Sequence, residues 1–302
     1  MAASIEKISV IIPTRNRAQS LAALLESLAL AESPEGATIE IIVVDNGSTD
    51  STAVMLQKQM AAQRRYPLRV LSQPEPGKSN ALNLALANCD GDLLMVFDDD
   101  VTVDGRCLVE LAAAYEGRDF AALQGRILPG KGPGGGGVDL GRLREYNIPL
   151  IDYGDDIHEI RGLTGTNMSF MRTVVTTVGS FDSRLGPGAA GFSEDTEFSI
   201  RIRKAGFKIG YTPHAVVYHE LDPKRYGRAY NRDVAYRKGM SRSVYRRDSL
   251  AFNVVPNLLA HCLRLALYRS LGRQQKAYKT EGRLFKCLGY LAGKLHRRSG
   301  AN

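Results

Sequence analysis

Along the first hundred residues, short apolar runs alternate with stretches in which apolar side chains recur every three or four positions. Ile8–Ile12 reads as a buried strand closed by Pro13, and Ala18–Leu30 carries Leu21, Leu24, Leu25 and Leu28 on one helical stripe. Ile39–Val44 reads as a second buried strand ending at Asp45, with Asn46-Gly47 turning the chain. A Ser/Thr/Asp cluster then caps a helix predicted over Thr52–Gln63. Leu68–Leu71, Ser79–Ala87 and Leu93–Phe97 continue as strand, short helix and strand. Strands that are apolar on both faces and alternate with helices predict an α/β fold, with a mainly parallel sheet covered by helices.

The second half is less regular. Ala121–Leu128 reads as a strand, Leu163–Phe170 as extended chain, Arg172–Val178 as a short helix and Thr196–Lys204 as a helix stopped by Gly206. Two short strands, Lys208–Tyr211 and Val216–His219, are expected to follow. Gly130–Gly137 holds six glycines and reads as a loop, without the Gly-Lys-Ser/Thr ending of a phosphate loop. Pro256 opens a further helix with Leu258, Leu259, Cys262, Leu263, Ala266, Leu267 and Leu271 along it, rimmed by Arg264, Arg269 and Arg273.

Polar residues that directly follow the strands change the picture. In open α/β sheets, ligands bind at the carboxyl ends of the strands. Asp45 falls there, and so does the triplet Asp98-Asp99-Asp100. Three adjacent carboxylates repel one another and call for a compensating cation or for exposure, so the triplet reads as a divalent-metal site or as a solvated acidic turn. No Gly-x-Gly-x-x-Gly follows the first strand, which argues against a dinucleotide-binding Rossmann domain. Glu194-Asp195 opens a helix behind Ser193, a candidate N-cap. First-turn carboxylates suit the helix dipole, and one held rigidly there also suits a general base. His219 ends a strand and is a candidate metal ligand, whereas His214, after a proline, reads as a loop residue.

Taken in order, Val10-Ile11-Ile12-Pro13-Thr14-Arg15-Asn16, Ile42-Val43-Val44-Asp45-Asn46-Gly47-Ser48-Thr49-Asp50, Gly77-Lys78-Ser79-Asn80-Ala81-Leu82-Asn83, the acidic triplet, Gly165-Thr166-Asn167-Met168-Ser169-Phe170 and Glu194-Asp195-Thr196-Glu197 resemble a family 2 glycosyltransferase. The resemblance covers about residues 7–220. It implies the GT-A, or nucleotide-diphospho-sugar transferase, fold: one Rossmann-like domain over 1–223, with a nucleotide-binding half, 1–104, and an acceptor-binding half, 105–223. It also assigns roles. Pro13, Thr14, Arg15 and Asp45 would line the base and ribose pocket, and Lys78 would approach the ribose or diphosphate. Asp98 would face ribose or metal-bound water, and Asp99 would be the variable middle of the Asp-x-Asp pattern. Asp100 and His219 would hold Mg²⁺ or Mn²⁺. Asp195 would be the catalytic base, with Glu194 supporting the acceptor pocket. The implied reaction is an inverting, metal-dependent transfer from a nucleotide-diphospho-sugar, UDP-linked by preference, to a hydroxyl of a saccharide, lipid-linked or small-molecule acceptor in glycan, glycolipid or polysaccharide biosynthesis. Processive members carry Gln-x-x-Arg-Trp. This chain has no tryptophan, so addition of one or few sugars is expected. A non-catalytic sugar-nucleotide-binding or scaffold protein and a nucleotidyltransferase are the alternatives.

Charge adds an appendage to this domain. Residues 1–223 hold 21 basic and 29 acidic side chains, for −8, and residues 224–302 hold 19 and 3, for +16. The basic stretch reads as a mostly helical C-terminal extension. It would pack on the body, mediate homo-oligomerisation or make peripheral contact with an anionic membrane. Tyr226, Tyr230, Tyr236 and Tyr245 lie among basic residues, as in stacking surfaces for bases. No nucleic-acid module accompanies them, so no nucleic-acid partner is expected. Cys89, Cys107, Cys262 and Cys287 lack metal-ligand spacing and read as reduced. The first apolar run is too short for a signal peptide, and no 18 consecutive residues are apolar, so a cytoplasmic protein is expected, with association at the inner face of the membrane as the second option.

Overall fold

The computed structural model describes residues 5–62, 65–130, 150–222, 225 and 227–299. The glycine-rich segment 131–137 and the start of the Tyr146–Arg161 stretch, expected to shape acceptor access, lie outside the described residues.

The chain forms an α/β fold in two units. The first holds described residues up to Gly130 together with 150–183 and Glu194–Leu221, and the second holds Arg184–Ser193 and the residues from Asp222 onward. In the first unit the order is β1 (Lys7–Thr14), α1 (Ala18–Leu30), β2 (Thr38–Asp45), α2 (Thr52–Ala61), β3 (Leu68–Ser72), α3 (Lys78–Ala87), β4 (Leu93–Phe97), β5 (Val101–Val103), α4 (Cys107–Ala113), β6 (Ala122–Pro129), β7 (His158–Ile160), β8 (Asn167–Met171), α5 (Arg172–Val178), α6 (Glu194–Lys204) and β9 (Ile209–His219). The strands make one nine-stranded mixed sheet in the order β3-β2-β1-β4-β8-β6-β9-β5, with β7 paired to β9. β3, β2, β1 and β4 are parallel neighbours, β8 runs antiparallel between β4 and β6, and β6 pairs parallel with β9.

Alternation along the strands explains the layering. Ile8, Val10 and Ile12 of β1 and Leu93, Met95 and Phe97 of β4 join the cluster that contains Leu21, Leu24, Leu25 and Leu28 of α1. Ile11, Leu94 and Val96 point the other way, into a cluster with Ala81, Leu82 and Ala85 of α3 and with Phe170, Phe181 and Phe198. A strand with both faces covered has no position left for a polar face, which is why these runs are apolar throughout.

Two expectations are corrected. Lys208–Tyr211 and Val216–His219 are not separate strands but the two ends of β9, which is continuous from Ile209 to His219. The register against β6 jumps from Gly125↔Thr212 to Arg126↔Val216, so Pro213, His214 and Ala215 form an irregularity that tolerates a residue without an amide hydrogen. Ser193 sits at φ +75°, in left-handed backbone rather than the extended conformation usual for an N-cap.

The second unit is helical: α7 (Arg228–Tyr245), a π-turn (Leu250–Val254), α8 (Val255–Ser270, with Pro256 in its first turn) and α9 (Gln274–Ser299). α7 and α9 approach with nothing between their backbones. A methyl group placed at Gly289 would lie 1.9 Å from the Tyr236 carbonyl oxygen, and one at Gly239 would lie 2.1 Å from that of Lys286. Only glycine allows that spacing. Glu281 of α9 is buried and accepts from Arg228 (2.5 and 2.7 Å), Arg232 (2.7 Å) and Arg269 (2.9 Å). Burial disfavours its charge, but Arg228 and Arg232 outweigh this and hold its carboxyl at about 2.

Candidate active site

β1, β2 and β4 are adjacent and parallel, so Thr14, Asp45 and the acidic triplet emerge at the same sheet edge. Thr14 lies opposite Asp45 in the register, and its hydroxyl donates to Asp99 Oδ2 at 2.7 Å. The Arg15 amide donates to the same oxygen at 3.3 Å. Asp45 accepts from the Ser48 amide at 3.0 Å, which shapes the turn after β2. Asn46 Oδ1 accepts from the Gly77 amide at 3.1 Å and so fixes the start of α3 beside β2. Of the residues expected around the nucleoside, Pro13 and Thr14 are buried, Asp45 is half-buried and Arg15 is exposed.

Lys78, the first residue of α3, is largely buried between two carboxylates. It pairs with Asp98 and lies 3.4 Å from Glu194 Oε1. Burial works against its charge, but Asp98 and Glu194 overcome this and push its pKa up. Asp98 feels the converse balance: burial disfavours its charge, while Lys78 and a 2.9 Å hydrogen bond from the Thr166 hydroxyl hold its carboxyl below the usual range. Glu194 is 5% exposed. Burial raises its pKa to about 7, with Lys78 opposing and Asp195 reinforcing the rise. Asp99 is likewise pushed up to about 7, by burial first and by the Asp100 charge next.

Asp195 differs from Glu194 in both exposure and bonding. It is half-buried, with Oδ2 accepting from the Gly165 amide at 3.2 Å and Oδ1 from the Thr196 amide at 2.6 Å. The tripeptide before β8 therefore touches both halves of the site: Gly165 orients Asp195, and Thr166 holds Asp98 through its hydroxyl. The Thr166 carbonyl also accepts from the Asp98 amide at 3.4 Å.

On the other side of the triplet, Asp100 Oδ1 faces His219 Nε2 at 3.4 Å, and both residues are buried. The His219 Nδ1 lies 2.6 Å from the Glu220 carbonyl oxygen, which can only accept, so Nδ1 carries a proton. In the neutral ring Nε2 is then a bare acceptor pointing at a carboxylate, and a bound cation or a second ring proton reconciles the two. That donor set fits a divalent metal held by one carboxylate and one imidazole. Among the described residues no group of three or more His, Cys, Asp or Glu converges as a metal cage, so the remaining ligands would have to come from elsewhere. The Glu220 amide donates to the Asp100 carbonyl at 2.8 Å, and its carboxylate accepts from Ser20 at 2.6 Å, fixing the end of β9.

The structure thus gathers Thr14, Arg15, Lys78, Asp98, Asp99, Asp100, Glu194, Asp195 and His219 around the carboxyl ends of the parallel strands, with Asp45 at the same edge. His214 is exposed and takes no part in these contacts. Sequence reasoning missed Arg17, whose guanidinium is 3.8 Å from Asp100 Oδ2, and the hydroxyl of Thr166. Both sit inside stretches that carried the family pattern or adjoin them, but their partners are more than sixty residues away in the chain.

Known proteins share sequence or structure with this chain. The family model for glycosyl transferase family 2 matches residues 9–178, more than half of the chain. An N-acetylglucosaminyltransferase of Azorhizobium caulinodans is 28% identical over 269 residues, 83% of this chain and 63% of that protein. The probable glycosyltransferase YdaM of Bacillus subtilis is 25% identical over 224 residues, 71% and 50% respectively, so the chain spans half to under two thirds of the length of these two relatives. The succinoglycan biosynthesis protein ExoM of Rhizobium meliloti is 28% identical over 225 residues, 74% of this chain and 71% of that protein. Among solved structures, a mannosyltransferase of Pyrobaculum calidifontis in complex with GDP-Man and Mn²⁺ superposes with a TM-score of 0.59 at 16% identity, covering 100% of this chain and 79% of that one. TarS of S. aureus in complex with UDP-GlcNAc gives 0.53 at 18% identity, covering 97% and 92%. Both carry the fold described above. The chain belongs to glycosyl transferase family 2.

Proposed function

We propose that this chain transfers a single sugar, or very few, from a UDP-sugar to a hydroxyl acceptor with inversion at the anomeric carbon, and that Asp195 is the base. The observation that carries the reading is the contrast between the two adjacent carboxylates. Glu194 is buried against Lys78, whereas Asp195 is accessible and oriented by two backbone amides. A general base must be both reachable and held in place, and Asp195 alone of the pair is both.

In this reading the acceptor oxygen attacks the anomeric carbon as the bond from that carbon to the diphosphate oxygen breaks. The bonding electrons leave with the diphosphate, and the acceptor proton passes to Asp195. Asp100 and His219 would hold Mg²⁺ or Mn²⁺, which supplies positive charge for the departing diphosphate when bound. Lys78 keeps Asp98 ionised and in place, and Arg17 adds a fixed positive charge beside Asp100. Glu194 anchors Lys78 from the acceptor side, while Arg15 and Asp45 border the nucleoside.

A uridine donor is favoured by relatives and neighbours that use N-acetylglucosamine or uridine nucleotides, and the mannosyltransferase bound to GDP-Man makes guanosine the competitor to test. Four free cysteines support a reducing, cytoplasmic setting. Replacing Asp195 with Asn removes the proton acceptor and keeps one of the two hydrogen bonds from backbone amides, because the carboxamide has a single accepting oxygen. Sugar transfer is expected to fall by about 10²–10⁴-fold in kcat, with donor affinity unchanged in calorimetry. Transfer at near wild-type rate by this variant would remove Asp195 from the role.

A further inference from the structure

The second unit leaves one large apolar surface uncovered. Phe252 in the π-turn is 90% exposed, and along α8 Leu259, Leu263, Leu267 and Leu271 are each more than half exposed. These leucines recur every four residues and so form one stripe down the helix. The opposite face is the packed one: His261 and Leu265 are buried, and Val254 is buried just before the helix begins. Contiguous apolar surface of this kind marks a binding face in a soluble unit.

Charge identifies what it binds. At about 100° per residue, Arg264 falls on one flank of the stripe, Arg269 lies toward the packed face beside Leu265, and Arg273 follows the helix end. Arg246 and Arg247 are exposed shortly before the π-turn. The acids of residues 224–302 are Asp233, Asp248 and Glu281, and each is already paired with arginine of the same unit. A stretch with a net charge of +16 therefore presents an apolar stripe edged by guanidinium groups, with no uncompensated carboxylate in that stretch to repel an anionic surface. A second copy would bring an equally basic surface against it.

By length and composition, Leu250–Ser270 is the one helical stretch among the described residues that could cross a membrane. Its packed face argues for lying flat instead. Arg269 reaches from α8 to Glu281 on α9, and α9 exposes Lys279, Arg283 and Lys286. Insertion across a bilayer would drag this ion cluster into hydrocarbon. A helix with one apolar face and cationic edges lies in the interface plane, its leucines among the acyl chains and its arginines at the headgroups.

We propose that the stripe Phe252, Leu259, Leu263, Leu267 and Leu271 is a docking surface for an anionic phospholipid bilayer. The inference is independent of the transfer reaction, so it stands or falls apart from the catalytic roles above. The test is flotation of the full chain with phosphatidylcholine vesicles and with vesicles containing phosphatidylglycerol, at low and high salt. Binding to the phosphatidylglycerol vesicles is expected, weakened by salt. The double variant Leu263→Asp, Leu267→Asp is expected to lose more than tenfold in partitioning at unchanged circular dichroism and melting temperature, because both side chains are exposed. The pair Arg264→Gln, Arg273→Gln should lose the preference for phosphatidylglycerol over phosphatidylcholine. Three results would overturn the proposal: no binding to either vesicle, binding that the leucine variant retains, or a dimer in sedimentation that the leucine variant dissociates without any vesicle binding.

Discussion

Glu194 and Asp195 are neighbours in the chain but differ in burial. Glu194 is buried, and its pKa is raised to about 7. In the unfolded chain it would ionise near 4.5. Between these values the folded protein binds the extra proton, so this group's contribution to stability falls as pH rises from about 4.5 to about 7. Glu194→Gln removes that titration. Urea unfolding of the wild type is expected to lose more stability between pH 5 and pH 8 than unfolding of the variant, and equal losses would contradict the buried, proton-holding environment. The sequence showed the acidic pair and its place at a helix start. It could not show that Lys78 lies across from Glu194, because that contact joins α3 to α6 over more than a hundred residues.

At the scale of elements, local signals carried far. Ala18–Leu30, Leu93–Phe97 and Arg172–Val178 have the ends that periodicity assigned. These elements bury a face whose period is written in their own residues. β5 and β7 were not seen, being three residues each, too short to display a period, and α4 was not seen either. β9 was read as two strands, Lys208–Tyr211 and Val216–His219, whereas the register shift against β6 absorbs Pro213 within one continuous strand. The α7–α9 contact rests on glycines that a sequence reading takes for helix weakeners. With the Tyr236 carbonyl where it is, Gly289→Ala must push the helices apart and is expected to cost more than about 2 kcal/mol. Thermal unfolding of the full chain would measure it, and an unchanged melting temperature would mean that the helices do not pack this closely in solution.

For the whole molecule, the two units differ in charge as well as in fold. An acidic sheet unit carries the site, and a basic helical unit carries the exposed stripe. Ligand binding should therefore act on the first unit through the acidic cluster. Mn²⁺ together with the matching nucleotide sugar at about a hundred times its Kd adds about 2.7 kcal/mol to the folded state. This corresponds to a rise of roughly 5–10 °C in melting temperature. Asp100→Ala should abolish the metal-dependent part of the shift in differential scanning fluorimetry. A full shift in that variant would place the metal elsewhere.

The sequence by itself determined the family, the α/β alternation, the strand ends that bear the acidic residues and the charge division between the two stretches. Each of these is local, written either in the period of a short segment or in an ordered set of motifs. Tertiary structure decided that Glu194 is buried and Asp195 half-buried, that His219 meets Asp100, and that Thr166 and Arg17 join the site. It also decided which face of α8 is covered. Periodicity finds an amphipathic helix, but burial depends on whether a partner surface exists, and here His261 and Leu265 have one within their unit while the leucine stripe has none among the described residues.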